Sequence, residues 1–175
     1  MPAPLSPRPG PDLGPLRGHR LHYWIACGFG AGFSPWAPGT AGTLAGIPLY
    51  GVLLTLPPWT YLPSLALGFL VGLWACDRTA RELGGGDPGA IVWDEILGLL
   101  VTLAWVPPSW TALLLGLVLF RLFDILKPWP IGALDRGLRG GWGIMMDDLA
   151  AGLLAGGLLK LSLDWFPSLT AAGLG

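Results

Sequence analysis

Ile91-Val92-Trp93-Asp94-Glu95-Ile96-Leu97-Gly98 opens an apolar run that continues to Val106. The two adjacent carboxylates at its mouth set how the rest of the chain is read. Charged residues make up only 12% of the sequence, against about 25% in an ordinary soluble domain. Acids placed beside apolar segments of near-lipid length carry an energetic cost and so point to function. Two further acidic points stand in similar places. Asp124 closes the largely apolar run Leu113–Phe123, and Asp147-Asp148 opens the run Leu149–Leu159. The three points are expected to converge on one metal site at a membrane surface.

Around that stretch the chain is strongly apolar. Hydrophobic residues reach 53% and the mean hydropathy is +0.60. A length of 175 residues fits one domain. Five apolar windows of ~13 to 18 residues fall at or just below the roughly 17–25 residues of a full membrane span. They predict helices over Leu44–Leu56, Leu62–Cys76, Ile91–Val106, Thr111–Leu126 and Leu149–Leu163. Pro57-Pro58 and Pro107-Pro108 mark turns, flanked by Trp59, Tyr61, Trp105 and Trp110 as interfacial aromatics. A short interfacial helix is expected at Leu21–Cys27. Too few polar residues remain to cover these helices in water. The expected fold is therefore all-α: a compact, membrane-associated bundle of about five apolar helices, four to five of them inserted, plus the short N-terminal helix. Residues 1–19 read as a disordered Pro/Gly-rich arm, 20–166 as a single helical domain and 167–175 as a flexible tail. The arm lacks the apolar stretch of a signal peptide.

The basic residues give an orientation. Arg8, Arg17 and Arg20 precede the first apolar helix. Arg78 and Arg81 follow the second, and Lys127, Arg136 and Arg139 follow the fourth. The two Pro-rich turns carry none. All the basic loops then share one side, which the positive-inside rule makes cytoplasmic. That side also receives Asp94-Glu95, Asp124 and Asp147-Asp148. Lys160 fits if it snorkels to the opposite interface.

Between the arm and the first apolar helix runs Gly28-Phe29-Gly30-Ala31-Gly32-Phe33-Ser34-Pro35-Trp36-Ala37-Pro38-Gly39-Thr40-Ala41-Gly42-Thr43. Its glycines let backbone N–H groups approach an anion, and Thr40 or Thr43 is placed to cap the helix that follows. Ser34, Thr40 and Thr43 are thus candidate phosphate-binding residues. The stretch lacks the lysine of a nucleotide-binding P-loop. A loop shaped by tight helix packing explains the same glycines about as well.

Carboxylate oxygens without His or Cys partners suit a hard cation such as Mg²⁺, which takes one or two carboxylates together with waters and phosphate oxygens. The candidate metal ligands are Asp94, Glu95, Asp124, Asp147 and Asp148. Arg121 and Lys127 flank Asp124 at helical spacing. They read either as phosphate-binding groups or as its ion-pair partners. Acids for a metal beside cations for phosphate describe a phosphoryl-transfer site. Other phosphatase chemistries fail on the letters. Six residues after Cys27 and Cys76 stand Phe33 and Glu82, so no thiolate Cys-x5-Arg site exists. His19 and His22, the two histidines, lie far from the acids, and no Asp-x-Asp pair is present. Water activated at a metal remains, with Asp94, Glu95 or Asp148 as the group that orients or deprotonates it. The net charge of −1 excludes a nucleic-acid surface, and two isolated cysteines give no redox or zinc motif.

Four blocks in order resemble the phosphatidylglycerophosphatase A family. They are the glycine-rich stretch through Leu44, then Trp93-Asp94-Glu95-Ile96-Leu97-Gly98, then Phe120-Arg121-Leu122-Phe123-Asp124-Ile125-Leu126-Lys127-Pro128-Trp129-Pro130. Last come Asp135-Arg136 and Gly140-Gly141-Trp142-Gly143-Ile144-Met145-Met146-Asp147-Asp148-Leu149-Ala150-Ala151-Gly152. The resemblance implies Mg²⁺-dependent removal of the terminal phosphate from phosphatidylglycerophosphate, an anionic phospholipid, at the bacterial inner membrane with the site facing the cytoplasm. It also carries site roles onto Asp94, Glu95, Asp124, Lys127, Asp135, Asp147 and Asp148. The competing readings are a soluble or peripheral all-α phosphatase for another phosphate ester, a membrane cation-binding or transport protein, and a scaffold. Transport would place ionisable residues near mid-bilayer, whereas these acids stand near helix ends.

Overall fold

Proline pairs interrupt the apolar runs, and a computed structural model, which describes residues 20–166, turns the chain at both. The expected arm and tail lie outside the described residues. Seven α-helices follow one another: α1 (Leu21–Ala26), α2 (Pro38–Leu54), α3 (Tyr61–Glu82), α4 (Trp93–Leu103), α5 (Trp110–Leu126), α6 (Ile131–Gly137) and α7 (Gly140–Trp165). Short 3₁₀ segments cover Gly28–Phe33 and Pro58–Thr60. The five apolar windows correspond to α2, α3, α4, α5 and α7, and the short helix at Leu21 is present. Pro38 begins α2 at a position where its missing N–H costs nothing. Ser109 caps α5, its hydroxyl accepting from the Ala112 N–H at 3.0 Å.

Two segments differ from expectation. The polar stretch after Cys76 continues α3 to Glu82, because its charges pair along the helix. Arg81 meets Asp77 and Arg78 meets Glu82 one turn apart. Glu82 also holds Arg20 at 2.7 Å and His22 at 3.2 Å, which docks α1 on α3. Residues 127–146, between the fourth and fifth apolar windows, contain α6 and the first two turns of α7. Glycine is a poor helix former, yet the start of α7 demands it. A Cβ on Gly141 would come 2.5 Å from the Leu73 carbonyl oxygen, and the Gly141 N–H donates to Asp77 at 3.1 Å. Helix α3 therefore caps α7.

Helix α4 is the axis of the bundle. Nine of its residues are buried, and α2, α3, α5 and α7 pack around it. The α4–α7 crossing is close: a Cβ on Gly152 would lie 2.6 Å from the Gly98 carbonyl oxygen. Thr102 fastens it, its hydroxyl within 2.9 Å of the Gly98 carbonyl and 3.3 Å of the Gly152 carbonyl. At 11 residues α4 is about 16 Å long, too short to span a bilayer.

The outer surface is unusually apolar. Leu67, Leu70, Leu114, Val118 and Leu161 are all exposed along helix flanks. Of the nine exposed tryptophans, Trp74 lies within α3 and the other eight gather near the two ends of the bundle. Trp24, Trp36, Trp129 and Trp142 stand at the end carrying the acids, and Trp59, Trp105, Trp110 and Trp165 at the other. Among the described residues, one helix, Pro58–Glu82, is long and apolar enough to cross a membrane by length and composition.

Candidate active site

Asp94 and Glu95 occupy the first turn of α4, where unpaired amide N–H groups and the helix dipole favour carboxylates. The approach to this turn is pinned, because the Val92 N–H donates to the Ala26 carbonyl at 2.8 Å. Asp148 lies in α7. The crossing that joins the two helices explains the meeting. Asp94 stands four residues before Gly98, and Asp148 four before Gly152. Each acid is thus one turn from the same point of closest approach. Ligand oxygens of Asp94, Glu95 and Asp148 lie within 4.8 Å of one another.

This triad is buried and incomplete. Asp94 is 7% exposed and Asp148 3%. Asp94 Oδ1, Glu95 Oε2 and Asp148 Oδ2 are buried without a hydrogen-bond partner. Such orphaned acceptors are costly. The acids stand at the mouths of the apolar runs rather than within them. Burial, then the charges of Glu95 and Asp148, push Asp94 well above the ordinary carboxylate range. Burial, then Asp124 and Glu95, do the same to Asp148. Glu95 is pushed up to about 7, chiefly by burial. Three close carboxylates with free oxygens need a proton or a cation between them. The all-oxygen donor set fits a metal ion, and a hard one.

The remaining predicted residues divide between this triad and a neighbouring one. Asp124, at the end of α5, is among the charges that raise Glu95 and Asp148. It holds Arg121 at 2.5 Å, and Arg121 also approaches Glu95 to 3.9 Å. Arg121 is therefore the cation next to the triad, with its Nε buried and unpartnered. Asp147 points elsewhere. Consecutive helical residues diverge by about 100°, and Asp147 meets Lys127 instead of the triad. Lys127 donates to Asp147 and Asp135, each at 2.5 Å. Burial works against the ammonium, but those two carboxylates keep it charged and raise it above the ordinary lysine value. Lys127 caps α5 in a left-handed conformation, φ 42°, which is uncommon for lysine. So Asp147 and Lys127, expected as metal ligand and phosphate group, are placed as partners of each other.

The glycine-rich stretch reaches the site at one residue. A Cβ on Gly39 would come 2.4 Å from Glu95 Oε1 and 3.1 Å from the Arg121 guanidinium. The uncapped N-terminus of α2 thus abuts the Glu95–Arg121 pair. Thr40 is exposed at that same turn. Thr43 is fully buried and its hydroxyl donates to the Gly39 carbonyl at 2.9 Å, so it is spent inside the helix. Ser34 is half-buried at the end of the 3₁₀ segment and makes no side-chain contact with the acids. Gly32 and Gly42 serve packing: a Cβ on either would strike Ala90 or Val92, the approach to Asp94.

Sequence reasoning passed over Asp87. It lines a cavity of about 340 Å³ with Asp135, Arg139 and Asp147. Burial, then Asp147, raises its carboxyl. Its only signal was a lone acid between the glycines at 84–86 and Pro88.

Residues 24–163 match the family described as Phosphatidylglycerophosphatase A. A protein of that name from Escherichia coli (strain K12) is 44% identical over 136 residues, covering 77% of this chain and 79% of its own. Its namesake from Haemophilus influenzae is 46% identical over 133 residues, covering 75% and 82%. A Bacteroides thetaiotaomicron relative, 37% identical over 137 residues and covering 74% and 85%, carries a provisional phosphatidylinositol-3-phosphatase name. No solved structure matches significantly.

Proposed function

The chain belongs to the phosphatidylglycerophosphatase A family, and from that premise we propose that it hydrolyses phosphatidylglycerophosphate to phosphatidylglycerol and inorganic phosphate. It is then a phosphoric monoester hydrolase of bacterial phospholipid synthesis, acting with Mg²⁺ at the cytoplasmic face of the inner membrane. The observation that carries this reading is the buried triad of Asp94, Glu95 and Asp148 with its unpartnered oxygens, beside Arg121. When bound, Mg²⁺ would offset the triad's charge and act as a Lewis acid toward the phosphoryl group.

The protein's own groups have separable tasks in this proposal. Asp94, Glu95 and Asp148 hold the cation. Arg121 and the N–H groups at the start of α2, at Gly39 and Thr40, bind the anionic phosphate oxygens. The missing side chain at Gly39 leaves room for that approach. One triad carboxylate orients the attacking water and takes its proton. Asp124 fixes the Arg121 guanidinium. Lys127, Asp135 and Asp147 brace the junction of α5, α6 and α7 behind the site.

Membrane insertion of the helices around α4 is part of the same proposal. Tryptophans gathered at both ends with leucines exposed between them match the pattern of interfacial anchoring around a hydrocarbon layer. A lipid substrate would keep its chains in that layer while its phosphate meets the acids at the headgroup level.

The provisional name of the Bacteroides relative favours one alternative, a phosphoinositide monoester. Phosphate release from phosphatidylglycerophosphate and from phosphatidylinositol 3-phosphate, in the same mixed micelles, decides between them. The expected result is a kcat/KM at least about tenfold higher for phosphatidylglycerophosphate. A preference for the inositol lipid would overturn the assignment.

A further inference from the structure

Helices α2 and α3 are consecutive, joined by a short turn, yet they scarcely touch along their length. Both pack on α4 instead. The gap between them is an apolar cleft of about 240 Å³ that opens sideways. Its floor is one face of α4, with Trp93, Ile96, Leu97 and Leu100 at helical spacing. Leu49 and Leu53 of α2 form one wall.

The other wall, on α3, carries Leu65, Leu67 and Val71 and is lowered at two positions. Ser64 and Gly68, one turn apart on α3, face the cleft with almost no side chain. A Cβ on Gly68 would already lie 3.2 Å from Leu97 Cδ1. The cleft is also bounded at both ends. Tyr50 and Tyr61 meet edge-on at the far end, centroids 6.3 Å apart, with the Tyr61 hydroxyl bonded to the Leu100 carbonyl at 2.8 Å. At the near end Trp93 donates from Nε1 to the Gly68 carbonyl at 2.9 Å, so its ring is fixed. Trp93 immediately precedes Asp94.

We infer that this cleft binds one acyl chain of the substrate lipid, seated along α4 so that the headgroup leaves it at the Trp93–Glu95 turn. The inference rests on the lipid-phosphatase reading above. Continuity with the site favours the substrate over bulk lipid. The floor helix also carries Asp94 and Glu95, and α2, whose later turns supply the Leu49–Leu53 wall, passes Glu95 and Arg121 with its first turn at Gly39. A chain held here fixes the position of its own phosphate relative to the triad. Bulk lipid gains nothing from that connection. The cleft lies on the opposite side of α4 from Glu95, so the extended headgroup has to cross the end of the helix.

The test compares long-chain phosphatidylglycerophosphate with its dihexanoyl analogue, in matched detergent, for the intact protein and for Ser64→Leu and Val71→Trp. Both substitutions fill the cleft from α3 and touch none of the acids. Ala66→Leu, which faces a separate apolar depression between α3 and α7, serves as a control. The expected result is a kcat/KM about tenfold lower on the long-chain lipid, the weight of roughly two buried methylenes, carried mainly by KM. Activity on the dihexanoyl analogue stays intact, which also shows that the variants fold. Equal losses on both substrates would make the cleft a packing feature. Unchanged rates on both would assign it to bulk lipid, and either result overturns the inference. If the intact protein hydrolyses neither substrate, the lipid-phosphatase reading itself falls, and the inference with it.

Discussion

Lys127 and Glu95 show how neighbouring charges acquire different tasks. Lys127 is held between Asp135 and Asp147, so its removal leaves a buried carboxylate without its cation. Lys127→Met should lower stability by about 1–3 kcal/mol, read from thermal or denaturant unfolding. A raised KM with unchanged stability would return Lys127 to the phosphate. Glu95 is governed by protons. Its folded value, about 7, lies above its ordinary 4.5, so without a cation the folded state binds the proton more tightly than the unfolded chain. Stability of the EDTA-treated protein should therefore fall as pH rises from about 4.5 to about 7. Cation binding needs the ionised form and should strengthen through the same window. An EDTA-treated protein that gains stability across it would contradict the burial of this acid. Both Asp147 and Asp148 were expected at the metal, although adjacent helical positions diverge by about 100° and cannot face one point. The roles of Asp87 and Gly39 were not legible beforehand, because both depend on segments remote in sequence.

At the scale of elements, the α4–α7 crossing assembles the triad. The repeated spacing Asp94 to Gly98 and Asp148 to Gly152 was visible in the letters, but its meaning needs the crossing itself. Gly152→Ala places a methyl 2.6 Å from the Gly98 carbonyl oxygen. The backbone there cannot give easily, so the substitution should cost about 1–3 kcal/mol and reduce phosphate release by separating Asp148 from Asp94. A variant of normal stability and rate would show that the crossing does not set the site. The five apolar helices were legible because proline pairs and hydrophobic windows are local signals. Helix α6 and the start of α7 were not. Gly140 and Gly141 are poor helix formers, and only the close approach of Leu73 and the Asp77 cap explain a helix beginning there.

For the whole molecule, exposed leucines between two groups of tryptophans define the surface. Protein expressed in bacteria should stay with the membrane pellet through high-salt and alkaline washes and be released by detergent. Release by salt alone would make the association peripheral and remove the basis for an inserted bundle. The sequence made that surface legible through composition, but not the number of spans: α4, largely apolar beyond its first turn, proves to be the enclosed axis. Around that axis the proposal has one centre, a cation held by Asp94, Glu95 and Asp148 that carries phosphate release. The direct test is phosphate release from phosphatidylglycerophosphate by EDTA-stripped protein during a Mg²⁺ titration, comparing the intact chain with Asp148→Asn. The intact chain should be inactive until Mg²⁺ is added. Asp148→Asn, folded by circular dichroism, should remain at least about a hundredfold slower at saturating Mg²⁺. Full activity of the stripped protein, or a near-normal rate for Asp148→Asn, would contradict the account.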